Sequence, residues 1–133
     1  MTVRNNLLIV FLMLAAMTVA RADTQFDLNK EACEALKKAD NELNQVYQQV
    51  LAKYKSDKVF IDRFVSAQRK WIEFKDAYVD SMYVPEYQDT YGSVLPMCQC
   101  YFIEKITEDR TKQLKVWIDG VDEGDVCTGS VSH

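Results

Sequence analysis

The chain has 133 residues, with 16 basic against 20 acidic side chains, a single histidine and a net charge of −4. That length suits one domain with one modest core, and the acidic balance argues against nucleic acid or anionic lipid as a partner. Its 4 glycines include no phosphate-binding arrangement, which excludes the usual nucleotide loops.

Residues 1–22 have the pattern of an export signal. Arg4 supplies a positive start, residues 7–20 form an apolar run, and Ala20-Arg21-Ala22 puts small residues at both positions a signal peptidase reads. Cleavage is expected before Asp23. The apolar run is shorter than the roughly 20 residues a helix needs to cross a bilayer, so no membrane insertion is expected after cleavage. No cysteine lies near the cut to carry a lipid, and the expected destination is the periplasm. The segment holds Arg4 and Arg21 and no acid, so its removal leaves 14 basic against 20 acidic residues, a net charge of −6.

The clearest helix covers residues 28–54, where Ala32, Leu36, Ala39, Leu43, Val46 and Val50 mark one face in steps of three and four. Asp27 is a candidate cap for its start, and Ser56 or Asp57 for that of the next element. A second helix is predicted over residues 57–83, with Ile61, Phe64, Val65, Trp71, Ile72, Tyr78, Val79 and Met82 turned inward. Pro85 stops it, because the residue before a proline is pushed out of α geometry. Residues 85–93 read as loop. Ser93 can cap a third helix that tolerates Pro96 in its first turn, carries Tyr101, Phe102, Ile106, Leu114 and Trp117, and ends at Gly120.

The expected architecture is all-α: a three-helix bundle running up, down and up over residues 23–120, with an irregular tail over 121–133. Cys33, Cys98, Cys100 and Cys127 all fall in the exported part, where an oxidising compartment favours two disulfides. The starts of helices one and three share an end of such a bundle. Cys33 therefore pairs with Cys98 or Cys100, and the other member of the doublet is left for Cys127, tying the tail back. The two pairings are equivalent at this level. A metal site is not expected, since His133 is the only histidine, and no cofactor is implied.

Three segments carry a family resemblance: Ala39-Asp40-Asn41-Glu42-Leu43-Asn44 with Tyr47; Ala67-Gln68-Arg69-Lys70-Trp71-Ile72 with Lys75-Asp76-Ala77; and Gly92-Ser93 with Thr107, Arg110, Thr111 and Leu114. Together they resemble the lysozyme inhibitor LprI-like N-terminal domain family of bacterial exported proteins. The resemblance implies an exported helical domain. The family takes its name from members that inhibit lysozyme, and some relatives look like immunity proteins against toxins that attack the cell wall. Val79 stands where relatives often carry a cysteine, and the Cys98-Gln99-Cys100 doublet and Cys127 look like local additions, so no disulfide pairing carries over.

On the up-down-up arrangement six of the matched residues fall at one height: Asp40, Asn44, Gln68, Trp71, Thr107 and Arg110. A buried charge needs a partner, so an Asp40–Arg110 pair is expected, completed by Asn44, Gln68 and Thr107 and sealed by Trp71. No catalytic constellation emerges. A serine or cysteine nucleophile lacks a histidine base, and Glu73 with Asp76, the nearest pair for glycan hydrolysis, fits a solvated helix face. A binding role is expected instead. Tyr83, Tyr87 and Tyr91 alternate with Glu86 and Asp89 at the close of helix two and in the loop after it, giving contact area and acid suited to a basic protein. The expected function is inhibition of a peptidoglycan-acting enzyme such as a lysozyme by occlusion. The alternatives are immunity against a delivered cell-wall toxin, and a thiol-exchange or hydrolytic envelope enzyme.

Overall fold

A computed structural model describes residues 23–131; the expected signal segment, residues 1–22, lies outside them, as does His133. The described chain is all-helical. Helix α1 (Gln25–Lys53), α2 (Lys58–Met82), the single-turn α3 (Gln88–Tyr91) and α4 (Leu95–Asp119) follow in order.

Helix α1 starts earlier than its apolar period requires. Thr24, not Asp27, is the cap: its hydroxyl accepts from the Asp27 N–H at 3.2 Å, while the Asp27 carboxylate accepts from the Thr24 N–H at 3.1 Å. Two orphan donors are satisfied reciprocally, which is why the helix can begin three residues before the expected start at residue 28. Asp57 caps α2 as expected, accepting from the Phe60 N–H at 2.9 Å. The expected loop over residues 85–93 is instead ordered as two 3-10 turns, Pro85–Tyr87 and Gly92–Val94, on either side of α3. Ser93 makes no cap. Its carbonyl accepts from the Asn29 side chain at 3.0 Å, which fastens the connector to the start of α1. Gly120 ends α4 with φ +82°, a conformation that side chains with a Cβ disfavour.

The long helices run up, down and up, but they do not pack as an even bundle. Helices α1 and α4 lie in parallel and make most of the fold's long-range backbone approaches, whereas α2 approaches α4 sparsely. Side-chain size explains the difference. Small buried residues, Ala32 and Ala39 from α1 and Thr107 and Thr111 from α4, let the first pair close up. Helix α2 faces them with Phe60, Phe64 and Trp71, and bulky contacts widen the interaxial distance. The core therefore sits at one end, where Leu43, Val46, Val50, Tyr54, Phe64 and Leu114 are buried together. Phe64 stacks on Tyr47 at 5.5 Å and meets Trp117 edge-on at 5.5 Å.

One disulfide joins Cys33 to Cys100, clamping the starts of α1 and α4. The expected second bridge is not formed: Cys98 and Cys127 are free thiols. Positions 98 and 100 of a helix point to nearly opposite sides, so only one can face α1. Cys127 stays at the far end, because the tail is held there and not drawn back along the bundle. The Trp117 indole N–H donates to the Ser130 hydroxyl at 3.0 Å, and the following Val131 is buried. That leaves on the order of 30 Å of α4 between the two thiols.

Candidate protein-binding surface

Away from the core end, α2 keeps its apolar residues but loses part of its cover. Phe74, Tyr78 and Met82, at steps of four, form a stripe along the second half of α2, and they are 59%, 41% and 47% exposed. Ile72, on another side of α2, and Tyr101, on α4, are exposed as well. Phe74 stacks on Tyr78 at 5.6 Å, Tyr78 packs on Phe102 at 5.1 Å, and Phe102 meets Tyr83 edge-on at 5.9 Å. The stripe is thus backed by a rigid aromatic layer while its outer faces meet water. Tyr78, Met82 and Ile72 were expected inside. They are outside because an apolar period tells which residues could be covered, not how far along the helix a neighbour reaches.

The charge of this stretch of chain is lopsided. Between residues 71 and 104 stand Glu73, Asp76, Asp80, Glu86, Asp89 and Glu104, with Lys75 the only base. Lys75 is itself bound to Asp76 at 2.7 Å. The preceding 23–70 segment is nearly balanced, so the chain's acidity is concentrated where its aromatic surface is. Glu73 and Asp76, the candidate carboxylate pair, are both exposed, and Asp76, two residues from Phe74 and from Tyr78, points to the other side of α2.

The tyrosines singled out from the sequence divide into two groups. Tyr87 is 59% exposed, with Glu86 and Asp89 exposed beside it. Tyr83 and Tyr91 are half-buried and pack edge-on to each other at 5.9 Å. The Tyr91 hydroxyl accepts from the Val84 N–H at 3.2 Å and so braces the connector. Burial, with Cys98 and Tyr91 close by, pushes the Tyr83 phenol above its ordinary value.

The six residues expected at one height separate as well. Gln68, Trp71 and Arg110 come together: the Arg110 Nε–H donates to Gln68 Oε1 at 3.0 Å, and its guanidinium carbon lies 5.8 Å from the Trp71 ring centre. Thr107 is fully buried beside them, and its hydroxyl has no hydrogen-bond partner. Asp40 and Asn44 are exposed, and the expected Asp40–Arg110 pair is not among the ion pairs of the described residues. Asp40 follows the buried Ala39 by one residue, and a helix turns about 100° in that step, which carries the carboxylate out to water.

An exposed aromatic stripe of this kind, in an acidic stretch of chain, is the type of surface that protein interfaces use. The chain belongs to the LprI family: the profile described as lysozyme inhibitor LprI matches residues 16–114, most of the sequence. No curated protein and no solved structure matches it. Among the described residues no helix is long and apolar enough to cross a membrane.

Proposed function

We propose that the protein is exported to the periplasm, loses residues 1–22, and there binds and blocks a basic peptidoglycan-acting enzyme of the lysozyme type. Membership of an inhibitor family supports the target class. The observation that carries the mode of binding is the exposed Phe74–Tyr78–Met82 stripe, which lies in a stretch of chain with six carboxylates and one lysine. Aromatic side chains supply desolvation at the centre of an interface, and a charged rim steers a partner of opposite sign and fixes its orientation. The inhibitor acts by covering the enzyme's cleft, with no chemistry of its own.

The test is inhibition of a basic lysozyme by the purified protein and by a Phe74→Ser/Tyr87→Ser variant. Both positions are mostly exposed, so the thermal midpoint should hardly change. Inhibition should weaken about 30-fold, the loss of roughly 2 kcal/mol expected of a central aromatic contact. Binding should also fall steeply as salt is raised, because the rim charges become screened. Wild-type protein that inhibits no lysozyme, or a variant that inhibits equally well, would refute the proposal.

A further inference from the structure

Among the described residues Arg110 is a guanidinium without a counter-ion. It projects from α4 towards α2, midway between the Phe64–Trp117 contact at the core end and the Tyr78–Phe102 contact at the other. Its polar partners are both neutral: Nε–H donates to Gln68 Oε1 at 3.0 Å and Nη1–H to Gln113 Oε1 at 2.9 Å. The Trp71 ring lies on its face, 5.8 Å from the guanidinium carbon. Gln68 is itself buried and holds the group in place from α2. Burial disfavours the charged form of Arg110, and no carboxylate among the described residues pairs with it to offset that cost.

Two features set this arrangement apart from an ordinary surface arginine. Partly desolvated guanidinium groups are normally matched by a carboxylate, yet the nearby acids are occupied or turned away: Asp109 is held by Lys105 at 2.8 Å and Lys112 at 3.1 Å, and Asp40 is exposed elsewhere. The fork is also fixed in orientation while only two of its five N–H donors are used. Two of the remaining three are on Nη2 and the third on Nη1, the edge that accepts a planar carboxylate in a bidentate manner.

We propose that Arg110, positioned by Gln68 and Gln113 and stacked on Trp71, is a receptor for a single carboxylate supplied from outside the chain. The carboxylate can come from a small free acid or from an acidic side chain of the blocked enzyme. Only the second source rests on the inhibitory role proposed above. A lysine could offer the charge, but neither the fork nor the stacking.

The test follows the Arg110 Nε–Hε resonance of the ¹⁵N-labelled protein during titration with sodium acetate, with sodium chloride at equal ionic strength as control. A saturable shift with acetate and none with chloride is expected, and Arg110→Lys should abolish acetate binding while keeping the fold. No saturable shift, or an equal response to chloride, overturns the site; the wild-type titration decides this even if a variant folds poorly. Lysozyme inhibition then separates the sources. A tenfold or larger loss in Arg110→Lys, reproduced by acetate competition on the wild type, assigns the carboxylate to the enzyme. Unchanged inhibition alongside acetate binding assigns the site to a small acid. Wild-type protein that binds acetate yet inhibits no lysozyme sinks the inhibitory role and leaves the site standing.

Discussion

Replacing Cys33 and Cys100 together by serine removes a bridge that closes 67 residues of chain. That loop contains all of α2 and the connector, so its opening releases a large unfolded ensemble. The chain-entropy relation for a loop of this size predicts a loss of about 4 kcal/mol. With a urea dependence of roughly 1.5 kcal/mol/M, the unfolding midpoint should fall by about 3 M. The contacts between α1 and α4 do not depend on the bridge, so the native helix signal in far-ultraviolet circular dichroism should survive in dilute buffer. Cys98→Ser and Cys127→Ser, made separately, should each change the unfolding free energy by no more than about 0.5 kcal/mol, since neither thiol is bonded. Peptide mapping under non-reducing conditions should recover only the 33–100 pair. A small effect of the double variant with a large effect of Cys98→Ser would refute this pairing and the packing built on it.

Leu114 is fully buried in the core, so Leu114→Ala should cost about 3 kcal/mol in urea unfolding. Thr107→Val should raise stability by about 1 kcal/mol, because it removes a buried hydroxyl that has no partner and keeps the shape; a loss would show that the hydroxyl is satisfied in solution. Hydrogen bonds from the Thr24 side chain and backbone hold the Asp27 carboxyl below its ordinary value. A depressed folded-state value adds stability at pH above the unfolded carboxyl range, and this is lost as acid protonates the folded form. The gap in thermal midpoint between wild type and Asp27→Asn should therefore be full at neutral pH and close between about pH 5 and pH 2. Parallel curves across that interval would exclude the capping role.

The face of α1 was legible because its period is single: Ala39, Leu43, Val46 and Val50 are apolar on one side and buried. Helix α2 was harder to read because it is apolar on more than one side, and nothing local reveals that small residues elsewhere let α4 close on α1 and leave Phe74, Tyr78 and Met82 uncovered. Phe74 was the available signal, a large aromatic outside the inward set. Height along a helix is easily counted, so Gln68, Trp71 and Arg110 could be placed together on paper. Direction around the axis separates neighbours more sharply: it turns Asp40 away from Arg110 and decides which of Cys98 and Cys100 reaches Cys33. The tail is hard to read for a related reason: a single hydrogen bond from Trp117 to Ser130 and the burial of Val131 fix its place, and neither leaves a pattern in the sequence.

The placement of the Cys33–Cys100 bridge also governs what happens when the backbone is nicked. A cut after the exposed Tyr87 yields an amino-terminal piece holding Cys33 and a carboxy-terminal piece holding Cys100. They stay one molecule. The same applies to scission anywhere between residues 33 and 100, so a protease that opens the connector does not free either half until a reductant arrives.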